Sequence, residues 1–178
     1  MAKKVLIITG SPRVNGNSDL LCQNFAKGAT ESGNSVETVF VRDMKLNGCI
    51  ACYNCSRTGK CFQEDALPEI LDKIMKAEVI VLSSPVYFYS ITGQMKVFLD
   101  RTLPVYEKLN GKTLYYIVTA AEDSKRQLDR AIDAFQGWAD CFDNMTVAGR
   151  IYGGGAYEKG NILDKSSYQQ AYEMGKNI

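Results

Sequence analysis

The sequence contains no histidine. That absence removes Ser-His-Asp and Cys-His catalysis, and every histidine-ligated zinc or haem site, from the chemistry open to the chain. Nor is there an apolar run of about 18 residues, the length needed to span a bilayer. Met1-Ala2-Lys3-Lys4 leads straight into a short strand-like run, where an export signal would carry an apolar stretch and a cleavage site. A cytoplasmic protein without membrane association is therefore expected. An excess of one charge is lacking too: 21 Lys and Arg oppose 20 Asp and Glu, for a formal charge of +1. This balance gives no nucleic-acid footprint and no polybasic patch, so a small-molecule ligand is the expectation.

What is present fits one domain. The 178 residues, 46% of them hydrophobic, are enough for a substantial core, and a single domain over residues 1–178 is expected. Five short apolar runs rich in β-branched residues alternate with helical patterns: Val5–Thr9, Val36–Val41, Val79–Ser83, Thr113–Thr119 and Thr146–Tyr152. Runs of this kind suit strands of a parallel sheet covered on both faces. The spacing predicts helices over Asn17–Ser32, with Gly33 as its stop, and over Asp65–Lys76, with Pro68 in the first turn. Further helices are predicted over Thr92–Thr102, after Ser124 as a cap, and over Ser166–Lys176. This alternation implies right-handed crossovers in a doubly wound α/β sheet, whose ligands bind beyond the carboxyl ends of the strands.

Two segments fall at that edge. The first strand is followed by Gly10-Ser11-Pro12-Arg13-Val14-Asn15-Gly16-Asn17-Ser18, which opens the first helix. A helix N-terminus offers unpaired N–H groups and a positive dipole end, the means to hold a phosphate. Ser11, Asn17 and Ser18 can add donors and Arg13 can add charge. The loop has neither the Lys-Ser/Thr ending of a triphosphate-binding loop nor G-x-G-x-x-G spacing, so a phosphate monoester fits better than a pyrophosphate. The plain alternative is an ordinary strand-to-helix turn with a polar cap. The third strand ends in Ser83-Ser84-Pro85-Val86-Tyr87-Phe88-Tyr89-Ser90, followed by Gly93-Gln94-Met95-Lys96 and Asp100-Arg101. Three aromatics beside a proline at the end of a strand can flank a planar conjugated ring; the alternatives are a plug for the core or a contact between subunits.

The cysteines are unevenly spread. Cys22 and Cys141 stand alone and read as small hydrophobes, while Cys49, Cys52, Cys55 and Cys61 fall in one loop, at about residues 43–64. The run C-x2-C-x2-C with a fourth cysteine six residues on favours a [4Fe–4S] cluster over zinc, whose sites more often use two separated pairs. Free or redox-active thiols are the main alternative, with a disulfide or zinc behind them.

Together, the loop Gly10–Ser18 and the segment Ser84-Pro85-Val86-Tyr87 with Gly93-Gln94-Met95-Lys96 and Asp100-Arg101 resemble the NADPH-dependent FMN reductase superfamily, over essentially the whole chain. The cysteine loop resembles that of its iron-sulfur flavoprotein branch. The resemblance implies a flavodoxin-like fold with a five-stranded parallel sheet of order 2-1-3-4-5. It implies FMN at the carboxyl edge, its phosphate on Ser11, Arg13, Asn17 and Ser18. Its ring is then placed against Pro85, Val86, Tyr87 and Phe88, with Thr119 and Ala120 as a third contact. It further implies a homodimer or homotetramer.

The function expected on this basis is an oxidoreductase. NAD(P)H or a ferredoxin-like donor reduces FMN, with or without an iron-sulfur cluster, and electrons pass to a quinone, flavin, azo or nitro compound. The alternative is a non-catalytic electron carrier of the flavodoxin type, which the near-neutral charge disfavours because such carriers are typically strongly acidic. No side-chain acid or base is singled out as catalytic.

Overall fold

The computed structural model describes residues 1–178, and its architecture follows from the period of the apolar residues. Five strands, β1 (Lys4–Thr9), β2 (Ser35–Phe40), β3 (Val79–Pro85), β4 (Thr113–Thr119) and β5 (Thr146–Gly153), form one parallel sheet in the order β2-β1-β3-β4-β5. β1 pairs with β2 from Lys4 and Ser35, and with β3 from Val5 and Val79. The six helices are α1 (Asn17–Glu31), α2 (Asn54–Thr58), α3 (Leu67–Lys76), α4 (Gly93–Asp100), α5 (Lys125–Ala139) and α6 (Ser166–Lys176).

Alternate residues of each strand serve opposite faces. Leu6, Ile8, Ile80, Leu82, Leu114 and Tyr116 pack in one core with Ile70 and Ile74 of α3, Phe98 of α4 and Phe135 of α5. Val5, Ile7, Val79, Val81, Tyr115 and Ile117 pack in the other, with Leu21 and Phe25 of α1 and Ala171 of α6. This is the doubly wound, flavodoxin-like fold that the alternation and the resemblance lead one to expect. α1 and α6 lie unusually close. A Cβ added to Gly28 would stand 2.1 Å from the Tyr172 carbonyl oxygen, and one added to Gly175 would stand 2.0 Å from that of Phe25.

Differences from the sequence reading are local. β3 runs on to Pro85, where it still pairs with Thr119. α3 begins at Leu67, because the Asp65 carboxylate accepts the Leu67 N–H at 3.1 Å and ends the preceding turn. Ser124 takes the N-cap position of α5 without a side-chain bond, and only its carbonyl serves, accepting from Gln127 and Leu128. The cysteine loop also contains α2, a five-residue helix opened by Tyr53 and closed by Gly59, both in the left-handed region. No helix is long and apolar enough to cross a membrane.

Candidate functional site

All the strand ends that the sequence singled out meet at the carboxyl edge, and polar contacts tie them together. Within the loop after β1, Ser11 Oγ donates to the Arg13 carbonyl and accepts the Arg13 N–H, both at 3.3 Å. Asn15 stands at φ 53°, a left-handed conformation that asparagine tolerates better than most residues. Its N–H donates to the Asp19 carboxylate at 3.0 Å. Asp19, buried in the first turn of α1, also accepts from Thr9 Oγ1 at 3.2 Å and pairs with Arg42 at 2.9 Å. Arg42 in turn donates to the Ser11 carbonyl at 3.1 Å. Burial pushes the Asp19 carboxyl above its ordinary value, and the Arg42 charge with the Asn15 and Thr9 donors opposes that rise. The loop is thus shaped from behind before any ligand arrives.

The loop after β3 is locked to the first. Thr92, the N-cap of α4, donates through Oγ1 to the Gly10 carbonyl at 2.8 Å, and its N–H donates to Ser84 Oγ at 2.9 Å. Gly10 is required here, since a Cβ would lie 2.7 Å from Met95 Cβ. Tyr87 and Ser90 exchange two backbone bonds, of 2.9 and 3.0 Å, around Phe88 at φ 50° and Tyr89 at φ 60°. Two consecutive left-handed non-glycine residues are strained, and such strain collects at functional sites. Phe88 is fully exposed at the tip.

Between these loops lies a cavity of about 230 Å³. Ser11, Arg13, Asn17, Ser18, Pro85, Val86, Tyr87, Thr119 and Ala120 all line it. Phe88 does not; it lines an adjoining apolar hollow of about 260 Å³ that shares Val86, Ala120 and Ala121 with the first. Ser18 Oγ and Thr119 Oγ1 are hydrogen-bonded at 2.6 Å on the floor. Asn17 contributes differently from a side-chain ligand. Its amide nitrogen donates to the carbonyls of Ala156 and Glu158, both at 2.9 Å, and its oxygen accepts the Gly160 N–H at 3.0 Å. The side chain therefore braces the loop after β5, and the backbone N–H at the start of α1 is what Asn17 offers to the cavity. Gly16, the N-cap residue, adds no side-chain bond, which leaves the first-turn N–H groups open to an anion. A larger hollow, about 490 Å³, borders Cys61 and Leu71, but no comparable set of donors converges on it.

Asp19, Arg42, Thr92, Ala156 and Tyr157 belong to the site and were not read from the sequence. Thr92 was legible as a capping residue and Asp19 as a first-turn acid. Arg42, Ala156 and Tyr157 carry no local signal, because only chain crossing brings them there.

The four clustered cysteines are all free; Cys49 and Cys52 are exposed, Cys55 and Cys61 partly buried. In number and kind these donors suit a [4Fe–4S] cluster. Their arrangement does not, since no three cysteine or carboxylate ligands stand close enough together to hold a metal ion. Cys61 alone has a charged partner, Arg101, whose Nη2 donates to Sγ at 3.3 Å.

A parallel sheet of order 2-1-3-4-5 with an anion-ready loop after its first strand defines a flavodoxin-like protein. The chain belongs to the NADPH-dependent FMN reductase family, whose sequence model matches residues 3–155. It is similar to an iron-sulfur flavoprotein of Methanocaldococcus jannaschii, with 41% identity over 102 residues, 57% of this chain and 53% of that protein. An iron-sulfur flavoprotein of Clostridioides difficile is 32% identical over 124 residues, 68% of this chain and 55% of that protein. The chain thus spans about half the length of the curated relatives it matches. In fold it is similar to an NAD(P)H:quinone oxidoreductase from Methanothermobacter marburgensis, with a TM-score of 0.72 at 16% identity over 99% of this chain and 97% of that one. An azoreductase from Bacillus anthracis gives 0.74 at 13% identity, with both chains covered completely.

Proposed function

We propose that the chain binds FMN non-covalently and works as an oxidoreductase, passing electrons from NAD(P)H or a ferredoxin-like donor to a small acceptor such as a quinone, flavin, azo or nitro compound. The observation that carries the proposal is the cavity at the carboxyl edge, where the open N-terminus of α1 faces the aromatic turn after β3. The residues present fit FMN in both chemistry and order. The first-turn N–H groups of α1, the Ser11 and Ser18 hydroxyls and the exposed Arg13 are suited to the phosphate. Pro85, Val86, Tyr87 and Ala120 offer an apolar wall to the ring, and Thr119 a hydroxyl beside it. When bound, FMN supplies the electron chemistry, accepting a hydride and releasing electrons singly or in pairs. The protein's part is to hold the phosphate, fix the ring and keep water from one face. The adjoining hollow lined by Val86, Phe88, Tyr89 and Leu128 is the place for a flat acceptor or donor ring.

The same reading includes a [4Fe–4S] cluster on Cys49, Cys52, Cys55 and Cys61, supported by their spacing and by the names of the similar flavoproteins. It also includes a cytoplasmic location, and a homodimer or homotetramer supported by the exposed Phe88 of the adjoining hollow.

Titration of the flavin-free protein with FMN, followed by NADH and NADPH oxidation in the presence of a naphthoquinone, tests the proposal. Saturable quenching of flavin fluorescence and quinone-dependent oxidation are expected. A protein that takes up no FMN overturns it. FMN uptake without turnover, together with rapid electron exchange with ferredoxin, favours the electron-carrier reading.

A further inference from the structure

The cavity at the carboxyl edge has one charged residue in its lining, Arg13, and that residue is exposed. Behind the loop, in the first turn of α1, stands the carboxylate of Asp19, 1% exposed. An acid in a first turn is drawn to the positive end of the helix, which is the same end that is open to an anion. Left uncancelled, its charge would oppose a phosphate held on those N–H groups, in surroundings too buried for water to screen it. The cancelling charge comes from the segment after β2. Thr9 and Phe40 are paired at the ends of β1 and β2, so the turn Val41–Asp43 falls beside the loop that follows β1. From that turn Arg42, its side chain 10% exposed, sets Nη1 at 2.9 Å from Asp19 Oδ2 and donates to Oδ1 at 3.1 Å.

The same Nη1 donates to the Ser11 carbonyl at 3.1 Å, and the guanidinium lies 4.2 Å from the centre of the Phe40 ring. The other carboxylate near it, that of Asp43, is 3.9 Å from Nε and exposed, so Asp19 is its principal counter-charge. Asp19 also accepts from Thr9 Oγ1 and from the Asn15 N–H, which ties the loop to the end of β1 and to its own turn at Asn15. The two side chains thus form a neutral brace. Asp19 shapes the loop, and Arg42 cancels the charge that this shaping brings beside an anion site.

We infer that Arg42 is a positioning residue of the phosphate subsite: by cancelling the buried charge of Asp19 it lets the loop Gly10–Ser18 take a phosphate monoester, and so sets the preference for FMN over riboflavin, the same ring without the phosphate. A phosphate monoester is close to a dianion at neutral pH, so one buried carboxylate left unpaired behind the loop would outweigh much of what the exposed Arg13 contributes. Arg42 does not line the cavity, and its effect is carried through Asp19 and the Ser11 carbonyl. The inference rests on the proposed FMN binding.

The test compares FMN and riboflavin binding to the full flavin-free chain, read by quenching of flavin fluorescence, in wild type, Arg42→Met, Asp19→Asn and the double variant. Circular dichroism shows whether each is folded. Riboflavin affinity is expected to stay within about twofold throughout, while the FMN-to-riboflavin affinity ratio falls by about tenfold in Arg42→Met, the scale of one uncompensated charge near an anion. Adding Asp19→Asn to Arg42→Met restores neutrality and should recover most of that loss. Equal losses for FMN and riboflavin, or no recovery in the double variant, overturn the inference, because a brace that is only structural moves both ligands alike. Arg42→Met leaves a buried carboxylate unpaired and can unfold the chain, so Asp19→Asn and the double variant, which bury no such charge, give a second reading. From the first to the second the ratio is expected to fall by about tenfold, since the charge of Arg42 is lost, and an unchanged ratio overturns the inference. If wild type binds FMN and riboflavin equally, the flavin reading stands and this inference fails; if it binds neither, the flavin reading itself falls and takes the inference with it.

Discussion

Ser18 Oγ and Thr119 Oγ1 lie 2.6 Å apart, so the first turn of α1 and the end of β4, a hundred residues away in sequence, share one hydrogen bond on the floor of the cavity. Both hydroxyls are buried in the chain, and each keeps further hydrogen-bonding capacity to turn toward a ligand.

From this pairing, Ser18→Ala is expected to weaken FMN binding by roughly fivefold to tenfold, the effect of one hydrogen bond worth about 1 kcal/mol. Thr119→Val is expected to do the same. The double variant should lose less than the product of the two, because the residues share a bond. Fluorescence titration of FMN measures all three. Unchanged affinity in both single variants would remove these hydroxyls from the proposed flavin site.

The close crossing of α1 and α6 makes a prediction about stability alone. In Gly28→Ala the new methyl meets the Tyr172 carbonyl at 2.1 Å, backbone against side chain, and the helices have to separate. A loss of about 2 kcal/mol or more in urea unfolding is expected. Gly137→Ala, in α5 with nothing within 4 Å, serves as the control and is expected to gain about 0.5 to 1 kcal/mol. The opposite ranking would mean that the helices do not cross as described.

Cys22 differs from the other five cysteines in being buried, and burial pushes its thiol up from 9.0 to about 12. Native protein treated with a thiol reagent is expected to leave Cys22 unmodified until denaturant is added, as mass spectrometry of the labelled peptides would show. The sign of the pH effect follows. Between pH 9 and about 12 the unfolded chain releases a proton that the folded chain retains, so stability falls as pH rises through that range. Relative to Cys22→Ala, wild type should therefore lose ground there. Labelling of Cys22 in the native state at neutral pH would contradict its burial.

Much of this was legible in the order of residues. Short, continuous apolar runs between helical patterns already implied the sheet, because strands covered on both faces are apolar at successive positions. The loop Gly10–Ser18 declared itself by its place between a strand and a helix, and nearly every residue it and the Pro85 segment nominated lines one cavity. Phe88 lies apart from the others, since a left-handed turn at its position turns it to the neighbouring hollow, and a propensity for φ above zero is not readable in Phe-Tyr.

The sequence by itself determined the alternation of strands and helices, the phosphate-ready loop and a set of four cysteines, because each depends on residues near one another in the chain. Only the tertiary structure decided what stands behind them. Arg42 behind Asp19, Asn17 turned to the loop after β5, and Arg101 against Cys61 each join positions at least 23 residues apart. Such pairings leave no local trace, because a buried charge takes its partner from whichever segment the crossovers of the sheet bring beside it.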